Sequence, residues 1–197
     1  MKNLLYLLST FLVSFSCAPE KLQDGDIIFH TSKSFQSEMI QTLTNSNLSH
    51  CGIINYRSGK PYVLEAVNPV KLTPLNQWIS RGAAGKYKVV RLKERITDEK
   101  KQLMFAYGKK QLGKNYDIKF EWSDKKMYCS EIVWKIYKAA GYDLCTPNTF
   151  SDYDLSGRTV RNEIKRRYGA TINLKEKVVS PEDLYNSNMV KTIFSNF

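Results

Sequence analysis

The sequence predicts an α+β domain in which hairpin-connected, mostly antiparallel strands pack against several helices. Three observations carry that expectation. Two strand-like runs, Ser49 to Tyr56 (SHCGIINY) and Pro61 to Val67 (PYVLEAV), are separated only by the hairpin-forming Arg57-Ser58-Gly59-Lys60. Helical spacing or helix-start signals recur at 34–44, 97–112 and 130–140. No repeat, low-complexity block or Gly/Ser/Pro-rich linker divides the 197 residues, a length that suits one domain.

Taken in order, residues 1–16 (MKNLLYLLSTFLVSFS) place Lys2 before an apolar run from Leu4 to Phe15 that ends among small Ser14 and Ser16. This is the charge, apolar core and small-residue pattern of a secretory signal, and the run is short for a membrane span. The folded domain is then expected over 17–197. Cys17 follows the leader directly and resembles the lipidation site of bacterial lipoproteins. Ser14 and Phe15 stand where a leucine and a small residue are usual, so lipidation of Cys17 and simple cleavage beside it both remain open. Either outcome puts the chain in the periplasm or cell envelope, with a lipid on Cys17 adding a membrane anchor.

The formal charge of +11 favours anionic surroundings. Export removes nucleic acid from the expected partners and leaves lipid headgroups or wall polymer. If Cys17 carries lipid, then Cys51, Cys129 and Cys145 remain. That odd number leaves at least one free thiol and is no disulfide framework.

Asp24-Gly25-Asp26 reads as a turn leading into a strand, Ile27-Ile28-Phe29-His30. Phe35, Met39, Ile40 and Leu43 share one face of a helix over 34–44, which Asn45-Ser46-Asn47 ends. After the 49–56 and 61–67 hairpin, KYKVVRL (86–92) is another strand. Thr97 caps a helix with acids in its first turn, running through Leu112 and stopping at Gly113. A further helix over 130–140 gathers Ile132, Val133, Ile136, Tyr137 and Ala140 on one face and ends at Gly141. Ser180-Pro181-Glu182-Asp183 is a helix start with a cap and proline at the first position. The stretch 146–179 is polar and irregular, and its elements are not assigned. Its basic run, Arg158 to Arg167, reads as a solvated helix face.

Cys129 stands at the start of an amphipathic helix, where free N–H groups and the helix dipole favour a thiolate and could hold an oxyanion. Alone it reads sooner as a buried structural cysteine than as a nucleophile. A nucleophilic thiol needs a base, and the chain has only His30 and His50. Glu65 sits within the apolar Val63-Leu64-Glu65-Ala66-Val67, where a carboxylate requires a partner. If Tyr56 pairs with Pro61 across a four-residue loop, paired positions sum to 117. His50 then faces Val67, and Glu65 lies diagonally on the same face, within side-chain reach. A slip of one residue would separate the two. Thiol, imidazole and carboxylate together make the set that nucleophilic acyl transfer requires. Cys51 reads as core and His30 as structural.

The segments LQDGDIIFH (22–30), LSHCGIINY (48–56), YVLEAV (62–67) and YCSEIVWKIY (128–137) resemble the circularly permuted NlpC-type, papain-like cysteine hydrolases, in their YiiX-like branch. GKNYDIKFEWSDKKMYCSEIVWKIY (113–137) resembles the run into the family's nucleophile helix, and SPEDLYNS (180–187) its closing helix. The resemblance implies a permuted papain-like fold with Cys129 as nucleophile, His50 as base and Glu65 orienting the ring. It also places Tyr116 beside the cysteine, and Tyr128 and Ser130 at substrate-binding positions. Tyr128 and Glu131 stand where an aspartate and a glycine are usual.

The implied activity is hydrolysis of an amide in a cell-wall peptide or related amino-acid conjugate. A lipid esterase or acyltransferase of the lecithin retinol acyltransferase-like kind is the alternative, as is a binding module that keeps the pocket without turnover. No His/Cys/Asp/Glu set has zinc spacing and no glycine-rich phosphate loop is present, so neither a metal nor an organic cofactor is expected.

Overall fold

The computed structural model describes residues 20–34, 36–169 and 171–197. The leader, Cys17 and Phe35 lie outside the described residues. In chain order the elements are β1 (Ile27–His30), α1 (Ser37–Thr44), β2 (His50–Arg57), β3 (Lys60–Glu65), β4 (Lys71–Pro74), α2 (Leu75–Ser80) and β5 (Lys88–Leu92). Then come α3 (Asp98–Gln111), α4 (Cys129–Ala139), β6 (Asn148–Thr149), α5 (Arg158–Tyr168), β7 (Lys177–Val178), α6 (Pro181–Tyr185) and β8 (Val190–Ser195).

Six strands form one antiparallel sheet in the order β4-β3-β2-β1-β5-β8. Period-two alternation divides its residues between two layers. Ile27, Phe29, Cys51, Ile53, Leu64 and Val90 face α3 and α4, whose Met104, Ile132, Val133 and Ile136 are wholly buried against them. Burying each such side chain stabilises the fold by about 1.5–3 kcal/mol. Ile28, Ile54, Val63 and Val89 face the other way and are covered by Trp78 of α2. A third cluster joins α1, α5 and the β6–β7 ribbon through Met39, Ile40, Phe150, Val160 and Val178, with Phe120 and Tyr128 at its edge.

The expected register of the β2–β3 hairpin is present: Tyr56 pairs with Pro61 and Ile53 with Leu64. The turn is tighter than expected. Arg57 also pairs with Lys60, so only Ser58 and Gly59 turn the chain, both with positive φ (49° and 75°). That geometry matches strand twist, and the extra pair keeps the same sum, so no face is exchanged. The first helix begins at Ser37 rather than 34, because Ser34 belongs to a turn whose carbonyl accepts the Ser37 N–H.

Thr97 caps α3 through the Lys100 N–H, and Ser180 caps α6 through the Asp183 N–H, as their sequences predict. Two sheet strands, β4 and β8, and the helix α2 had no expected counterpart. Within 146–179 the chain forms α5, β6 and β7, and the basic run lies on α5.

Candidate active site

The site lies where the N-terminus of α4 crosses the first residues of β2. α4 packs on one face of the sheet, driven there by Ile132, Val133, Ile136 and Tyr137, and this brings its first residue, Cys129, to the strand end. The loop before it is fixed by a bridge between Tyr116 and Met127, with the Asp117 N–H donating to the Met127 carbonyl at 3.0 Å. Tyr116 is thereby set beside Cys129, and its hydroxyl accepts a hydrogen bond from Gln36 Nε2 at 2.7 Å.

His50 and Glu65 meet as the register demands. His50 Nε2 and Glu65 Oε2 are 2.6 Å apart, with Glu65 wholly buried. This leaves Nδ1 as the ring atom available to Cys129. Gly52 lies next to the pair, between His50 and the Ile53–Leu64 rung. A Cβ there would come within 2.4 Å of Val63 Cγ1 and 3.3 Å of Glu65 Cβ, so glycine is what lets the carboxylate approach. Trp78 stacks on His30 at 3.9 Å between ring centroids and lies 5.9 Å from the His50 ring. Both imidazoles are held against one indole.

The electrostatics follow from these contacts. Burial alone would raise the Glu65 carboxyl, but hydrogen bonds from His50 and Thr73 and the charges of His50 and Arg81 bring it down to about 2. Thr73 Oγ1 donates to Oε1 at 2.6 Å, and Arg81 pairs with the same oxygen. Burial opposes charge on His50, yet hydrogen bonds to Cys129 and Glu65 raise it to about 9. The Cys129 thiol is held well below its usual range, first by a hydrogen bond from Cys51 and then, against burial, by His50. Burial and the neighbouring charge on His50 push His30 down to about 2, so it stays neutral. The arrangement supports one thiolate–imidazolium pair backed by one carboxylate.

The remaining expectations divide. Tyr128 and Ser130 flank the thiol and their polar atoms are engaged by the backbone: the Tyr128 hydroxyl accepts from the Val179 N–H at 3.1 Å, and Ser130 Oγ donates to the Val179 carbonyl at 2.6 Å. Glu131 is fully buried and accepts from the Tyr128 N–H at 3.2 Å, with Lys135 at 2.8 Å. Cys51 is core, as expected, but it also touches the Cys129 sulfur. Thr73 and Arg81 were not anticipated. Their only advance signal was the apolar surroundings of Glu65, which demand more partners than one imidazole.

Two spaces adjoin the pair. A polar cleft of about 620 Å³ is lined by His50 together with Lys33, Gln36, Asn68, Arg81 and Tyr116. A much smaller apolar pocket, about 50 Å³, is lined by Cys129 with Ile40, Leu43, Phe120, Phe150 and Val178.

Comparisons with known proteins identify the family. Residues 21–194 match the family described as permuted papain-like amidase enzymes, YaeF/YiiX, C92. The uncharacterized protein YiiX of Escherichia coli K12 is 44% identical over 194 residues, which is 98% of this chain and 96% of YiiX. The crystal structure of the metalloprotein YiiX of Escherichia coli O157:H7 superposes with a TM-score of 0.86 at 44% identity, covering 89% of this chain and 98% of that one. Sequence and fold coincide: the chain belongs to the YaeF/YiiX (C92) family of permuted papain-like amidases.

Proposed function

We propose that this chain is an exported cysteine amidase in which Cys129 attacks a substrate carbonyl, His50 carries the proton and Glu65 positions the ring. One observation carries the reading: a buried imidazole bonded at 2.6 Å to a buried carboxylate also contacts the thiol that opens α4.

The pair rests as Cys129 thiolate and His50 imidazolium. The sulfur attacks the amide carbon, and the oxygen that gains charge is met by the N–H of Cys129 at the helix start. Collapse of that intermediate breaks the C–N bond as His50 gives its proton to the leaving nitrogen. Water then attacks the thioester, losing a proton to His50, and the thiolate returns as the acid departs. Glu65 fixes the ring and its charge throughout. The substrate we favour is an amide in a cell-wall peptide or related amino-acid conjugate. The leader-like residues 1–16 and Cys17 support delivery to the envelope.

A solved relative is described as a metalloprotein. Among the described residues of this chain no three His, Cys, Asp or Glu side chains converge as a metal site, so no step here runs through a metal.

Iodoacetamide should alkylate Cys129 ahead of Cys51 and Cys145 near neutral pH, and His50→Ala should remove that preference, slowing turnover by roughly 10²–10⁴-fold. Digested cell wall incubated with the enzyme should give products, seen by mass spectrometry, that a Cys129→Ala variant does not. Identical profiles from the two proteins would refute the amidase reading.

A further inference from the structure

The two spaces beside the Cys129–His50 pair differ in chemistry, and acyl transfer assigns each of them a half of the substrate. The acyl group becomes bonded to the sulfur, so it must lie on the side that the cysteine lines. The leaving group takes its proton from the imidazole, so it must lie on the side that the histidine lines. Cys129 lines the apolar pocket with Ile40, Leu43 and Phe120. His50 lines the polar cleft, where Lys33 and Arg81 supply positive charge and no Asp or Glu is present.

Resting on the amidase reading above, we propose that the substrate is an amide whose carbonyl side bears a small apolar group and whose amine side bears a carboxylate.

Size sets the first half. A dry cavity of about 150 Å³ holds a benzene ring. A pocket of about 50 Å³ suits a methyl or ethyl group and is too small for a long acyl chain. Its polar side chains are already bonded within the protein: Tyr128 and Ser130 to the Val179 backbone, Thr44 to the Ile40 carbonyl, Tyr153 to the Asp183 carboxylate and Ser180 to the Asp183 N–H, so nothing there rewards a polar group. Charge sets the second half. Lys33 is exposed at the cleft and donates to the Ser80 carbonyl at 3.3 Å, which leaves its ammonium with further hydrogens to offer. Arg81 lines the same cleft, its side chain 41% exposed although one nitrogen holds Glu65. The acid beside the thiol, Glu131, is fully buried and does not line either space, so no carboxylate is on hand to receive a free amine.

Chromogenic amides separate the two halves. Propionyl and decanoyl amides of aminonitrobenzoate, which carries a carboxylate, are compared with those of neutral nitroaniline. Propionyl aminonitrobenzoate should have the highest kcat/KM, with the charged leaving group preferred by roughly fivefold, the scale of one partly exposed ion pair. Lys33→Ala should cut that preference to twofold or less. A preference that survives Lys33→Ala, equal rates for charged and neutral leaving groups, or a decanoyl amide turned over as fast as the propionyl one each overturn the assignment. Iodoacetamide labelling of Cys129 runs in parallel. Selective, His50-dependent labelling without turnover of any propionyl amide rejects the substrate class and leaves the amidase reading standing. Loss of selective labelling rejects the amidase reading and the substrate class with it.

Discussion

Glu65 on β3 and Glu131 in the first turn of α4 are both fully buried, both lie near Cys129 and both contact a cation, yet one is held at about 2 and the other pushed up to about 7. Burial is the largest influence on each and acts the same way, toward the neutral acid. What differs is the supply of donors. Glu65 has His50, Thr73 and Arg81 converging on its two oxygens. Glu131 has the Tyr128 N–H and Lys135, and Lys135 divides its charge with Asp124 at 3.0 Å. Three donors overcome the loss of water, and one peptide N–H with half a cation does not. The lesson is that a buried carboxylate takes its charge from its partners rather than from its depth.

The largest effect expected from breaking this contrast is at Glu65. Glu65→Gln keeps the shape and removes the charge opposite His50. The imidazolium loses its counter-ion, so the alkaline limb of the kcat/KM profile should move down from about 9 toward the ordinary histidine range. Turnover at neutral pH should fall roughly 10⁴-fold, in line with losing the orienting acid of a triad. A variant that keeps its alkaline limb would show that Glu65 does not govern the ring's charge, whatever its rate.

A smaller effect is expected at Arg81, which touches only the far oxygen of Glu65. Its side chain is 41% exposed, so solvent screens it, and Arg81→Ala should cost about 1 kcal/mol in transition-state terms, a five- to tenfold loss. The direction of the pH shift distinguishes it from Glu65→Gln. Without Arg81 the carboxyl protonates at higher pH, so the acid limb rises, while the alkaline limb holds or moves upward because a positive charge has left the neighbourhood of His50. A fall in the alkaline limb would mean that Arg81 acts on the histidine by another route.

How far these residues could be read from the chain follows the same division between pattern and partner. The β2–β3 pairing was legible because a hairpin fixes its own register, and the apolar run around Glu65 announced that its acid needed company. The α4 face and the two capped starts at Thr97 and Ser180 were legible for the same reason: each signal lies within one element. Thr73 and Arg81 were not. They are ordinary surface residue types on a four-residue strand and just past a six-residue helix, elements too short to show periodicity. Cys51 shows the limit of the alternation rule. It does point away from His50, but α4 begins across the end of β2, where one sulfur reaches both faces. Within 146–179, two-residue strands leave no periodic trace, and α5 is recognisable only by charge.

The smallest effect on activity, and the sharpest test of the contrast, is at Glu131. It contacts the helix start and not the reacting atoms, so Glu131→Gln should change kcat/KM by less than about twofold, within the range of substitutions that leave the site's geometry intact. Its effect on stability has a definite sign. The folded carboxyl titrates at about 7 and the free one at 4.5, so between these values the folded protein holds a proton that the unfolded chain has released. The contribution of Glu131 to stability should therefore fall as pH rises from 4.5 through 7 and level off above, by at most ~1.4 kcal/mol per unit. Glu65 has the opposite sign: its contribution is full above 4.5 and lost as pH falls through about 2. Urea unfolding of the wild type and Glu131→Gln across pH 4.5 to 8 should show the wild type losing stability relative to the variant up to about pH 7, the titrations of His30 and His50 being common to both. Parallel curves for the two proteins would mean that Lys135 keeps Glu131 ionised after all, and that one cation suffices where three donors were thought necessary.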